Sequence, residues 1–141
     1  MLRQATCVSV DGRAILIEGP PGAGKSTLAL MLIDRGAELV GDDGVSLEQH
    51  GGALWASPPP NIEGLLEIRN VGLASFPATE APVALVLELT DAAPRFVEQA
   101  DSVEVLGMPI PHLLFDPSGP ACAIRAEQAL MRHGLPRSGT K

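Results

Sequence analysis

Apolar and polar positions along the chain change their period several times, and each change marks an element. Ala5 to Val10 is rich in β-formers, Asp11-Gly12 is a two-residue hairpin signal, and Ala14 to Glu18 is a second apolar run ending at Gly19. From Lys25 the apolar positions Leu28, Leu30, Met31, Leu32 and Ile33 predict a mostly buried helix, with Gly36 as its stop. The order so far is strand, glycine loop, helix. Glu38 to Gly41 is a short apolar strand ending at the pair Asp42-Asp43, and Gly44 to Gln49 reads as the return strand of another turn.

Pro58-Pro59-Pro60 forbids regular structure and predicts a stiff extended crossing before Ile62 to Leu73. Pro82 to Thr90 is nearly continuous in apolar residues and predicts a central strand buried on both faces. Val103 to Leu106 and Ile110 to Phe115 predict two strands around Gly107-Met108-Pro109. Ala121 to Arg132 predicts a terminal helix stopped by Gly134. Together these make one domain over residues 1–136, with a disordered tail over 137–141.

The 141 residues suit a single core, and 45% apolar with 19% charged content is ordinary for a globular domain. No apolar run reaches the roughly 18 residues of a membrane span, and the amino terminus lacks the pattern of a signal peptide. A soluble, cytoplasmic protein without membrane partners is the expectation. The net charge of −7, with Lys25 one of only two lysines, argues against a nucleic-acid partner, because backbone binding needs clustered cations. Cys7 and Cys122 are widely spaced among small or apolar residues, which suits reduced, packed thiols. His50, His112 and His133 have no ligand spacing for zinc, and Trp55 reads as a packing residue.

The chemistry concentrates in Gly19-Pro20-Pro21-Gly22-Ala23-Gly24-Lys25-Ser26, a full match to the P-loop pattern between a predicted strand and a predicted helix. Its glycines let the backbone curl so that N–H groups and the helix N-terminus point at phosphate oxygens. Lys25 would reach the terminal phosphates, and the Ser26 hydroxyl would serve a magnesium ion; Thr27 completes the nucleotide-binding set. Asp42 and Asp43 are the candidate carboxylates, since phosphoryl transfer needs one near magnesium and one to accept the nucleophile's proton. Asp91, after the long apolar strand, is a rival that periodicity cannot separate from them. No Asn-Lys-x-Asp guanine motif is present, so ATP is expected rather than GTP.

A second stretch, Ile62-Glu63-Gly64-Leu65-Leu66-Glu67-Ile68-Arg69-Asn70-Val71-Gly72, resembles the Leu-Glu-Ile-Arg-Gly-x-Gly signature of the HPr kinase/phosphorylase family. The P-loop, the Val40-Gly41-Asp42-Asp43 strand end and this signature occur in the family's order over roughly residues 4 to 115. The chain resembles the short form known from alphaproteobacteria, a catalytic domain alone. The resemblance implies an α/β P-loop kinase domain of the phosphoenolpyruvate-carboxykinase-like type with a mixed β-sheet. It implies an ATP- and Mg2+-dependent protein-serine kinase acting on the HPr-type phosphocarrier of the bacterial phosphotransferase system. The reverse reaction, with inorganic phosphate, would be a second activity, and the longer members' hexamers raise the expectation of a homo-oligomer. By the same resemblance Asp42, Asp43, Arg69 and Arg95 are catalytic, and Ser26, Asp43 and Glu67 form the metal set.

Three positions depart from the family's pattern: Gln4 replaces a His, Gly44 an Arg and Asn70 a Gly. The segment after Gly119 is also shorter. Two other readings accommodate the P-loop: a nucleotide sensor that binds ATP without turnover, and a small-metabolite kinase, which leaves the signature stretch unexplained.

Overall fold

A computed structural model describes residues 1–60 and 63–137. Ile62 of the signature stretch and, of the expected tail, residues 138–141 lie outside the described residues; Arg137 is described and pairs with Asp11.

The first hairpin forms as its turn chemistry dictates. Strands β2 (Thr6–Val10) and β3 (Arg13–Glu18) pair antiparallel through Asp11 and Gly12, whose φ values of 55° and 85° give the turn the twist of the strands it joins. Helix α1 (Lys25–Asp34) follows the glycine loop and ends where expected. The N–H groups of Gly36 and Ala37 donate to the carbonyls of Ile33 and Leu32, and Gly36 takes a φ of 110°. Strand β9 (Ala81–Leu89) is the buried central strand, parallel to β3 on one side. Its last four residues run parallel to β11 (Met108–Phe115), which pairs antiparallel with β10 (Asp101–Val105). Among the described residues this is a mixed sheet, with β4 (Glu38–Gly41) against β2 at one edge.

Two expectations are corrected. The turn expected at Gly107-Met108-Pro109 is tighter: Leu106 and Gly107, both at positive φ, make it alone, and Met108 and Pro109 belong to β11. The residues after the Asp pair form β5 (Val45–His50), but β5 does not return along β4. It pairs with β1 (Leu2–Arg3) and β6 (Ala53–Ser57), and β6 in turn meets the start of β9. Between β4 and β5, Asp43 has a left-handed φ of 65°. Trp55 lies in β6, half-buried, edge-on to the His50 ring.

Side chains alternate across the sheet, so one strand feeds two cores. Val8, Ile15, Ile17, Leu85 and Leu87 pack toward α1 and helix α2 (Cys122–His133), whereas Cys7, Ala14, Leu16, Val83 and Val86 pack with Leu47, Leu54 and Ile110 on the other side. Both cysteines are buried free thiols, and desolvation pushes the Cys7 thiol far above its ordinary range, which keeps it protonated. The signature stretch forms a separate two-stranded ribbon, β7 (Leu65–Ile68) and β8 (Gly72–Ser75), anchored by the fully buried Leu66. No helix among the described residues is long and apolar enough to cross a membrane.

Gly41, the last residue of β4, admits no side chain: a Cβ there would lie 2.2 Å from the Gly44 carbonyl oxygen and 3.3 Å from Pro59 Cδ. Gly41→Ala is therefore expected to destabilise the fold by about 1–3 kcal/mol in urea unfolding. Gly44→Ala, where a Cβ meets nothing within 4 Å, serves as the control and should stay within about 0.5 kcal/mol. Equal midpoints for the two variants would contradict this account of the strand end.

Candidate active site

The glycine loop ends in a helix start built to face an anion. Gly24 is the N-cap at φ 104° and ψ 20°, a conformation that glycine adopts without a Cβ penalty. No side chain caps the helix and its first turn holds no acidic residue, so the amides there and the positive end of the helix dipole are not neutralised from within. The Ala23 N–H donates to the Pro20 carbonyl at 3.1 Å, closing the loop on itself. Lys25 Nζ folds back over it, donating to the carbonyls of Gly19 at 2.9 Å and Pro20 at 3.1 Å.

The carboxylate of Asp42 joins three elements at this point. Its Oδ1 accepts from the Ser26 hydroxyl at 2.6 Å and from the Thr6 hydroxyl at 3.1 Å, and its Oδ2 accepts from the Glu67 N–H at 3.1 Å. The Thr6 hydroxyl also accepts from the Asp43 N–H at 3.4 Å, so one fully buried threonine touches both members of the pair. Sequence reasoning missed Thr6. Its only signal is that it is one of two polar residues, with Ser9, in a strand that is otherwise apolar, and nothing local says that a side chain 36 positions later will meet it.

Lys25, Ser26, Thr27, Asp42, Asp43, Glu67 and Arg69 all line one cavity of about 420 Å³ together with loop residues Pro21, Gly22 and Gly24. Of the rest of the loop, Pro20 and Ala23 line a neighbouring cavity that also contains Asp91, while Gly19 lines neither and accepts from Lys25. Between the rival carboxylates, then, the fold brings Asp42 and not Asp91 to Ser26. Arg95 does not reach the carboxylates: it lines a third cavity with Asp116 and Arg125. There the Asp116 carboxyl is held below the ordinary carboxylate range, first by the Ser118 N–H at 2.9 Å, then by the Ser118 hydroxyl and the Arg125 charge.

The departures from the family pattern fit the local geometry. Asn70 occupies a left-handed φ of 68° at the ribbon's turn, and asparagine is one of the few residues besides glycine that take this conformation readily. Gln4 is exposed between β1 and β2. Among the described residues no group of three or more His, Cys, Asp or Glu side chains could hold a metal. A magnesium ion makes no such demand, since it keeps several waters and is held through one or two carboxylates, which Asp42 and Glu67 offer beside the Ser26 hydroxyl.

Comparison with known proteins accords with this geometry. A family model for the HPr Serine kinase C-terminal domain matches residues 2–116. The HPr kinase/phosphorylase of Clostridium novyi (strain NT) is 34% identical over 145 residues, covering 91% of this chain and 47% of that protein. The HPr kinase/phosphorylase of Geobacillus thermodenitrificans (strain NG80-2) is 33% identical over 147 residues, covering 94% and 48%. The chain thus spans about half the length of the curated relatives it matches. The solved structure of the Hpr(Ser) kinase/phosphatase from Coxiella burnetii superposes with a TM-score of 0.78 at 26% identity, over 93% of this chain and 92% of that one. The fold expected from the sequence, an α/β P-loop domain of the phosphoenolpyruvate-carboxykinase-like type with a mixed sheet, holds.

The double role of Thr6 is open to a direct check. Thr6→Val keeps the shape but removes the hydroxyl, leaving the Asp43 N–H without its partner; a stability loss of about 1–3 kcal/mol is expected in chemical denaturation. Thr6→Ser should retain most of the wild-type stability. A neutral Thr6→Val would mean that the hydroxyl does not hold the pair.

Proposed function

The chain belongs to the HPr Serine kinase C-terminal domain family, and from that premise we propose that it is an ATP- and magnesium-dependent protein-serine kinase acting on an HPr-type phosphocarrier in the cytoplasm. The observation that carries this reading is the hydrogen bond between the P-loop hydroxyl of Ser26 and the carboxylate of Asp42, which unites phosphate-binding and acid–base groups in one cavity.

In this reading the uncapped amides of the loop and the Lys25 ammonium hold the terminal phosphates of ATP. Lys25 exchanges its two carbonyl partners for phosphate oxygens, a stronger charge-assisted interaction. Ser26, with the carboxylates of Asp42 and Glu67, would hold magnesium, which when bound neutralises charge on the phosphate oxygens. Asp42 already has three donors. Asp43 has no side-chain hydrogen bond among the described residues, which fits it for the proton acceptor. It would take the proton of the serine hydroxyl as that oxygen bonds to the γ-phosphorus and the bond to the bridging oxygen breaks, releasing ADP. Arg69, lining the same cavity, would stabilise the transferring charge. The reverse attack by inorganic phosphate on the seryl phosphate would use the same groups.

The test is transfer of labelled γ-phosphate from Mg-ATP to an HPr-type phosphocarrier. Label should depend on the carrier's target serine, fall by about 10²–10⁴-fold in Asp43→Asn, and be lost in Lys25→Ala. Undiminished transfer in Asp43→Asn would refute its role as base. ATP binding without any label would refute the kinase and point to a sensor.

A further inference from the structure

The ends of β3 and β9 carry like charges side by side, directly before the glycine loop. Glu18, the last residue of β3, stands opposite Glu88 of β9 in the parallel register. One step back along each strand, Ile17 and Leu87 both enter the core beneath the helices; two steps back, Leu16 and Val86 both enter the other core. Side chains alternate along a strand, so Glu18 and Glu88 project from the same face, the one turned away from the helices, on strands about 4.8 Å apart. Two ionised carboxylates so placed repel each other.

Each carboxylate has a partner on its outer flank. Arg3 of β1 donates from Nε to Glu18 Oε2 at 2.5 Å, with only 28% and 22% of the two side chains exposed. His112 Nε2, on β11, lies 2.9 Å from Oε1 of Glu88, the more open of the two acids at 51% exposed. The partners are not equivalent. A guanidinium keeps its charge at every working pH, whereas an imidazole is cationic only when protonated. Glu18 is also the more enclosed carboxylate, where water screens a charge less. Arg3 therefore supplies most of the compensation.

The two strands cannot part here without opening the loop. Gly19, the next residue, packs so close to β9 that a Cβ on it would lie 3.2 Å from the Cβ atoms of Leu89 and Ala23. Its carbonyl accepts from Lys25 Nζ at 2.9 Å. The seating of Gly19 on Leu89 thus sets where the loop begins and where the lysine is held, and repulsion between Glu18 and Glu88 acts against that seating. We infer that Arg3 is a positioning residue of the phosphate site: by holding the charge of Glu18, it lets β3 and β9 close beneath Gly19. Arg3 lines neither cavity beside the loop and acts through Glu18. The inference rests on the reading of the loop as a phosphate site.

Calorimetric titration with Mg-tripolyphosphate, which has phosphates but no nucleoside, reads the loop alone. Arg3→Met keeps an aliphatic stem and is expected to weaken binding by about three- to tenfold, with partial recovery in Arg3→Lys. Because the effect passes through a like-charge pair, adding either Glu18→Gln or Glu88→Gln to Arg3→Met should restore affinity to within about twofold of wild type, whereas each acid substitution alone should change it by less than about twofold. Arg3→Gln takes the place of Arg3→Met, with the same expected values, where circular dichroism finds the latter unfolded. Undiminished binding in the folded Arg3 variant overturns the inference. So do double variants that stay as weak as the Arg3 variant, which would mean that Arg3 acts on the phosphates directly. A gain from Glu88→Gln of equal size with and without Arg3 also overturns it, since that is the mark of general charge. Failure of the wild type to bind tripolyphosphate, or binding that survives Lys25→Ala, overturns the phosphate reading itself, so the two failures are told apart.

Discussion

One carboxylate holds the candidate site together. Asp42 accepts hydrogen bonds from α1 through Ser26, from β2 through Thr6 and from the β7–β8 ribbon through the Glu67 amide. These elements are far apart in sequence and do not share a sheet, so their relative placement follows from this shared acceptor and the packing beneath it. Hydrogen bonds to an ionised group are stronger than those between neutral partners, and in a half-buried setting they also fix direction. The glycine at position 41 belongs to the same arrangement, because only a residue without a Cβ lets the chain double back and present Asp42 at the strand end.

The electrostatics are correspondingly local. A chain with net charge −7 repels anions at long range, so a phosphate site here depends on short-range donors and not on a basic surface. The helix start supplies them through its backbone, undiluted by a capping side chain or by acidic residues in the first turn. A single lysine adds the mobile charge. The carboxylates stand within reach of this positive site, which is the pairing of opposite charges that phosphoryl transfer requires.

Much of this was legible in the sequence because the signals were local. The P-loop declares its turn, its helix start and its lysine within eight residues, and the apolar run to Leu89 announces a strand buried on both faces. The Asp pair and the signature stretch were placed correctly near the loop, since the motif order reflects the chain path. What was hidden is non-local. Thr6 meets Asp42 only because β2 and β4 pair with a register shift at Cys7 and Val8, and no pattern in either strand predicts that shift. The pairing of β5 with β1 was hidden for the same reason, since its partner strand lies more than about 40 residues earlier in the chain, Leu2 opposite Ser46. Asp91 and Arg95 belong to other cavities because turns after β9 redirect the chain, and turn direction is poorly encoded in composition.

The β7–β8 ribbon stands outside the main sheet, joined to the rest, among the described residues, by the buried Leu66, by Ile68 against the same core and by one amide bonded to Asp42. A two-stranded ribbon is marginal by itself, so its opening free energy lies well below that of the sheet. The molecule therefore has a built-in hierarchy of cooperativity: its amides in the ribbon exchange with solvent through a sub-global fluctuation, while those of β3 and β9 await complete unfolding. A ligand that bridged Glu67 to the glycine loop would couple the weakest unit of the structure to one of its strongest, and the gain would appear as slowed exchange far from any atom the ligand touches.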